Sequence, residues 1–314
     1  MLYSGVDMKF ALATPAIQNY PAGMAPWEPG AGGAEVLRFA RTADKLSWDW
    51  LTVPEHVLMP AEMVDMMGDR FAEGIATSAV LLGATERIRL LTYVLVLPYR
   101  HPVMLAKQIA AMDFLAGGRF TLGTAVGHIE REFEILNVPF KERGRMTDEY
   151  LQAIKECWTS ERPQFDGQYV KFSDIAVNPK PPQQPHPPIF IGGNSRAAMR
   201  RAAVHGDGWI PWLITAEELP ECIDYMRAQP EFEAKADRFE IVMPTTSYNV
   251  EDYSHEEMGE TRIAAERDEI MRDIEKLQKA GITVAQVMPP RVETFEQCLE
   301  WVEWFDSDII PNFR

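Results

Sequence analysis

The sequence predicts an α/β protein folded as a single (β/α)8 TIM barrel over residues 1–314, with insertions at the carboxyl face of its strands. Three observations point there. Apolar strand patterns alternate with helical ones along the whole chain, as a closed barrel requires. Residues 87–128 form a strand–helix–strand unit with its boundaries intact, the mark of parallel pairing. A doubly wound sheet usually carries a glycine fingerprint after its first strand, whereas Thr14-Pro15 and a Pro/Gly/Ala-rich loop stand there instead.

Within that unit, Ile88 to Leu97 is a nearly unbroken apolar run, expected of a strand buried on both faces. Pro98 ends it. His101-Pro102 opens a helix, with proline where a missing N–H costs nothing. Val103, Ala106, Ile109, Ala110 and Phe114 recur at helical spacing, and Gly117-Gly118 closes the helix. Phe120 to Val126 is a second apolar strand running into Gly127-His128. The same patterns place strands at 9–13, 50–53, 89–96, 120–126, 189–191, 208–211, 240–245 and 283–288. Helices are expected near 33–46, 71–84, 102–115, 144–159, 195–205, 216–227, 255–280 and 294–305. Gln18–Gly33 and His56–Arg70 are long loops at the carboxyl face, where such loops serve as lids, binding loops or mobile connectors. Pro163–Pro188 holds a hairpin around Asp166-Gly167 and a proline-rich approach to strand five.

Composition narrows the function. The net charge is −16, but residues 215–314 hold 24 acidic and 10 basic side chains, leaving 23 against 21 elsewhere. That balance argues against nucleic-acid binding, and the acidity reads as solvated helix faces. No apolar run is long enough to span a membrane, and the amino terminus lacks the pattern of a secretory signal. Cys157, Cys222 and Cys298 form no CxxC pair, which fits a reducing compartment and a cytoplasmic enzyme.

Ligands of parallel α/β proteins gather at the carboxyl ends of strands, and four clusters stand there. In IFIGGNSRAAMRRAA, Gly192, Gly193, Asn194 and Ser195 link strand five to a helix. Glycines allow close backbone approach and the helix start attracts anions, with Arg196, Arg200 and Arg201 nearby; an ordinary capped turn would look similar. In VPEHV, Glu55 and His56 end strand two. A histidine beside an acid suits proton transfer, although single histidines are more often structural. Glu55 would orient His56 or hold the loop, and no second His or Cys is spaced to complete a metal site. Thr92-Tyr93-Val94 lies inside strand three and reads as core by default. Gly123-Thr124-Ala125-Val126-Gly127-His128 leaves room for a flat ring but also suits barrel packing. Trp209 and Trp212 read first as core, and the loop methionines 59, 63, 66 and 67 line an apolar pocket or a loose flap.

Taken together these residues resemble the bacterial luciferase-like monooxygenase family, the flavin- and deazaflavin-dependent (β/α)8 enzymes. ERIRLLTYVLVLPYRHPVMLAKQIAAMD, GGRFTLGTAVG, EREFEILNVPFKERGRMTDEYLQAI, NPKPPQQPHPPIFIGG and AAVHGDGWIP follow the family's order, most strongly over residues 86–211. The resemblance implies that His56 is the active-site histidine, preceded by the acidic Glu55. It implies a non-prolyl cis peptide at Tyr93-Val94 behind the cofactor ring, with Thr124, Gly127 and His128 flanking the ring and ribityl chain. His128 departs from the Trp or Glu common at its position. The phosphate site falls on Gly192, Gly193, Asn194 and Ser195. The implied cofactor is F420, with FMN as the alternative. The implied reaction is hydride transfer to a small apolar substrate, or oxygen insertion with a partner flavin reductase. Homodimers are frequent among the members.

Overall fold

The computed structural model describes residues 7–212, 214–245, 247–248, 261–262 and 266–314. Eight parallel strands run β1 Lys9–Ala13, β2 Trp50–Val53, β3 Arg89–Thr92, β4 Phe120–Ala125, β5 Ile189–Gly192, β6 Gly208–Ile210, β7 Glu240–Pro244 and β8 Val284–Val287. Each pairs with its sequence neighbours, and β8 returns to β1 with Lys9 opposite Val284, so the sheet closes. The principal helices are α1 Gly33–Lys45, α2 Gly74–Ala84, α3 Pro102–Leu115, α4 Arg143–Thr159, α5 Arg196–His205, α6 Leu219–Arg227, α7 Arg267–Ala280 and α8 Phe295–Asp308. The expected fold is therefore the observed one.

Period-two alternation sorts the strand residues into two cores. Phe10, Leu12, Leu51, Leu90 and Phe120 face outward into the layer beneath the helices. Ala11, Trp50, Leu91, Phe190, Ile210, Val242 and Val284 face inward and fill the barrel. There the Trp50 indole donates to Thr121 Oγ1 at 3.1 Å and meets the Phe190 ring edge-on at 6.3 Å. These side chains occupy the interior of the barrel, below its mouth. Tyr93 and Val94 pack on this inner plug and join it to the mouth.

Several expected boundaries move. The helix expected from residue 71 starts at Gly74, after the Glu73 carboxylate caps the Ala76 N–H at 2.6 Å. The helix expected at 255–280 is described from Arg267, and much of its earlier part lies outside the described residues. The hairpin stands as expected, with Phe165 opposite Phe172. The run expected as one strand at 89–96 is divided. β3 stops at Thr92 and a short strand, Leu95–Val96, resumes pairing with β4.

The cause is one extra residue. Leu91 pairs with Thr121, but the next pair is Leu95 with Thr124, so four steps on β3 oppose three on β4. This is a β-bulge, and the Tyr93–Val94 peptide inside it is cis. Thr92 supplies what the ladder loses: its hydroxyl accepts from Gly123 N–H at 2.9 Å and donates to Gly123 O at 2.8 Å. A Cβ on residue 123 would fall 1.8 Å from the Thr92 carbonyl oxygen, so only glycine permits this approach. Among the described residues no helix is long and apolar enough to cross a membrane.

Two outcomes are expected. Thr92→Val orphans both buried Gly123 groups and costs about 1–3 kcal/mol in urea unfolding, while Thr92→Ser recovers most of it; equal stability of the two variants contradicts the bulge closure. At the amino face, burial, with Lys155 beside it, pushes the His205 imidazole down to about 4. An unfolded chain protonates this group near about 6.5, so the folded state binds fewer protons between those values. Stability is full above that window and declines as pH falls through it. His205→Gln should narrow the difference in melting temperature between pH 7.5 and pH 4.5, and an unchanged difference refutes the assignment.

Candidate functional site

At the end of β2, Glu55 and His56 are held by separate partners, Arg100 and Val96 for the one and Glu132 for the other. The Glu55 carboxylate is buried, accepting from Val96 N–H at 3.0 Å and from both terminal nitrogens of Arg100, one at 2.9 Å. Arg100 also bonds Glu73. Glu55 thus clamps the end of β2 to the strand beyond the bulge; of the two roles open to it, it takes the one that holds the loop.

His56 is oriented by Glu132, which the sequence did not single out. The side chain of Glu132 lies on a short helix, Glu130–Ile135, after β4 and is 1% exposed. Its Oε1 accepts from Val57 N–H at 2.9 Å, and Oε2 accepts from the Tyr99 hydroxyl at 2.9 Å and lies 3.4 Å from His56 Nδ1. Burial alone would raise the Glu132 carboxyl, but hydrogen bonds from His56, Tyr99 and Val57, with the His56 charge, outweigh it and hold it below the usual range. An ionised carboxylate only accepts, so Nδ1 carries the hydrogen in this pair and Nε2 is the nitrogen free for proton exchange. Burial first, then the Glu132 charge, raises Tyr99 and keeps it a donor. The sequence did hold a signal: Glu132 shares a helix face with Ile129, Phe133 and Leu136, at i, i+3, i+4 and i+7.

The His56 ring meets Phe71 edge-on at 4.7 Å and His128 at 5.9 Å. Gly127, with φ +82°, turns the chain toward His128; a Cβ there would lie 2.6 Å from Val96. Thr124 is buried and donates its hydroxyl to Leu95 O at 2.9 Å, on the β4 side of the bulge. The long loops are stitched to each other: Asn19 N–H donates to Arg70 O at 3.1 Å, Arg70 N–H to Asn19 Oδ1 at 2.7 Å, and Ala72 N–H to Ile17 O at 2.8 Å. Phe71 therefore joins the first loop to His56.

Across the mouth, the bulge meets the end of β5. A Cβ on Gly192 would stand 3.3 Å from Ala125 Cβ and 3.5 Å from Val94 Cγ1, so Val94, Ala125 and Gly192 form one surface that only a missing side chain keeps flat. Gly193 takes φ +117°, and its carbonyl accepts from the buried Trp209 indole at 2.8 Å. Asn194 spends its amide on the Trp212 backbone, with Trp212 N–H donating at 2.8 Å. Ser195 caps α5, accepting from Ala198 N–H at 3.1 Å while its own O–H stays available to donate. The start of α5 thus presents amides and a hydroxyl beside the shelf, and a flat heterocycle with an anionic tail fits these residues.

The arginines expected near that anion are a partial correction. Arg201 is buried and bound to Asp148 at 2.5 Å and Gly144 O at 3.1 Å, because helical rotation turns it toward α4. Arg196 pairs with Glu221 at 2.8 Å and lies 4.4 Å over the Tyr225 ring. Arg200 is exposed. With these two cations engaged elsewhere, the donors that the start of α5 offers are backbone amides and the Ser195 hydroxyl.

Glu132→Gln keeps an acceptor for Val57 and Tyr99 but can turn an N–H toward His56 Nδ1, so it no longer fixes which ring nitrogen carries the hydrogen. It is expected to lower kcat roughly tenfold or more with the melting temperature kept within a few degrees; an unchanged kcat sinks the pairing.

Comparison with known proteins agrees with this fold. A family model described as luciferase-like monooxygenase matches residues 8–283. An FMNH2-dependent dimethylsulfone monooxygenase of Pseudomonas putida is 25% identical over 316 residues, covering 94% of this chain and 85% of that protein. A monooxygenase from Streptomyces bottropensis superposes with a TM-score of 0.78 at 20% identity, covering 98% of this chain and 100% of the other. An F420-dependent tetrahydromethanopterin reductase from Methanopyrus kandleri gives 0.74 at 14% identity, with coverage of 98% and 100%. At such identities the two structures establish the fold.

Proposed function

This chain belongs to the luciferase-like monooxygenase family, and from that premise we propose that it is an F420-dependent oxidoreductase acting on a small, mainly apolar organic substrate. Among its relatives and structural neighbours are an FMNH2-dependent monooxygenase and F420-dependent enzymes, so a flavin or deazaflavin is the cofactor class. The observation that carries the finer reading is the His56–Glu132 pair, which stands at the mouth shared by the Val94–Gly192 shelf.

F420, when bound, would supply a hydride to the substrate or accept one from it. The chain supplies the rest. Val94 and Gly192, with Tyr93 behind them, would support the ring, and Gly127 and His128 would flank its polar tail. Gly193, Asn194 and Ser195 would hold the phosphate through backbone amides and the Ser195 hydroxyl. Thr124 and Glu55 act from behind, fixing the bulge and the loop after β2. His56 Nε2 gives the proton to, or takes it from, the substrate oxygen as the hydride moves. Glu132 keeps that ring in one tautomer and orientation. The stitched loops at 18–33 and 56–70 exclude water from the transfer.

A second reading, an FMNH2-dependent monooxygenase served by a flavin reductase, is favoured by the relative that covers 94% of the chain. Cysteines 157, 222 and 298 are all free thiols, which supports a cytoplasmic setting. The exposed Val80, Met104, Phe114 and Leu115 on α2 and α3 support a homodimer.

Titration should show one reduced F420 bound per chain. His56→Ala should lose roughly 10²–10⁴ in kcat with cofactor affinity unchanged. Retained turnover removes His56 from its role. Oxygen consumption with FMNH2, yielding an oxygenated product in place of F420 turnover, decides for the second reading.

A further inference from the structure

A cavity of about 40 Å³ lies where the ends of β1 and β8 meet the 18–33 loop, on the carboxyl face. By the space one water needs, it takes about three small groups. Met24, Met288 and Pro289 give it apolar walls, and Thr14, Trp27 and Glu28 complete its lining. Thr14 is 3% exposed and its hydroxyl is buried without a hydrogen-bond partner. The Trp27 indole N–H is buried and unpartnered as well. The Glu28 carboxylate is held in place, one oxygen accepting from Ala16 N–H at 2.7 Å and the other from Ala25 N–H at 2.9 Å. Each oxygen keeps a spare lone pair. Buried polar atoms in folded proteins are nearly always satisfied, so two such atoms on residues walling one small cavity call for a partner. Water supplies it in the free protein, and a ligand group of the same chemistry can replace that water.

The chemistry of that occupant follows from the donors. The indole N–H only donates, so the occupant must accept. The Glu28 carboxylate only accepts when ionised and opposes a second anion, so a carboxylate is disfavoured. An ammonium group has nothing to offer the indole N–H. A compact uncharged group that both accepts and donates satisfies all three residues.

A chain of contacts also joins the wall of the cavity to His56. The Arg70 guanidinium donates to the carbonyls of Glu28 and Pro29, each at 3.3 Å, and the next residue, Phe71, packs on His56. We infer that this cavity is the specificity subsite for the polar end of the substrate, taking an uncharged amide or hydroxyl and rejecting carboxylates. The inference rests on the mouth being the active site, but its test requires no cofactor, so the two fail separately.

The test is NMR titration of the Trp27 indole N–H, assigned with Trp27→Phe, using acetamide, acetate and methylammonium as probes. Acetamide should shift the resonance saturably, and Thr14→Val should weaken it roughly three- to tenfold. Acetate and methylammonium should leave the resonance in place at the same concentrations. No saturable shift with acetamide, equal binding of acetate, or full affinity in Thr14→Val each overturns the subsite. If Thr14→Val does not fold, Trp27→Phe read through the Met24 and Met288 methyl resonances replaces it. The same loss of acetamide affinity is then expected, and unchanged affinity refutes the subsite.

Discussion

Two hydrogen bonds between the Thr92 hydroxyl and the backbone of Gly123 are the constraint on which the mouth of this barrel depends. A parallel barrel with every ladder bond made would leave β3 straight and its side chains alternating inside the plug. One extra residue on β3 breaks the register, and a side-chain hydroxyl standing in for the lost backbone partner lets the break persist in a dry core. The bulge joins Tyr93 and Val94 to the inner plug and brings Val94 against the glycine end of β5. Any side chain at residue 123 would collide with the Thr92 carbonyl and push the two strands apart there.

Buried carboxylates then fix what surrounds the bulge. Glu55 ties β2 to the strand beyond it, Glu132 ties the loop after β4 to His56, and Glu28 folds the first loop onto itself through two amides. Their environments pull in opposite directions. Burial raises Glu28 despite its two amides, whereas Glu132 meets a histidine, a phenol and an amide and is lowered overall. The lowered carboxyl contributes stability above its unfolded value that is lost as pH falls; the raised one has the reverse sign. An acid lowered beside His56 and an acid raised in the first loop give the two ends of the mouth different characters.

Much of this was legible in the sequence, and the remainder was hidden for physical reasons. Strand and helix positions follow from hydrophobic period, and the apolar run from Ile88 to Leu97 marked a buried strand. Nothing in that run announces a bulge, because Thr92 and Gly123 are far apart in sequence and ordinary in isolation. His56 and the Gly192–Ser195 turn stood out because strand ends are short and their residue types unusual. Glu132 was masked by acidic neighbours, although its place among Ile129, Phe133 and Leu136 set it on the buried face. Arg201 misled because three nearby basic residues read as one patch, while a helix turns each by about 100° from the last.

The central claim is that a planar redox heterocycle lies against Val94 and Gly192 with its anionic tail on the amides that begin α5. A crystal structure with oxidised F420 bound tests it most directly. Density for the ring within van der Waals contact of Val94 and Gly192, with a phosphate oxygen within hydrogen-bond distance of the Ser195 hydroxyl, is the expected result. A ring seated elsewhere, or a phosphate held by Arg196 and Arg200 away from Gly193, would contradict it.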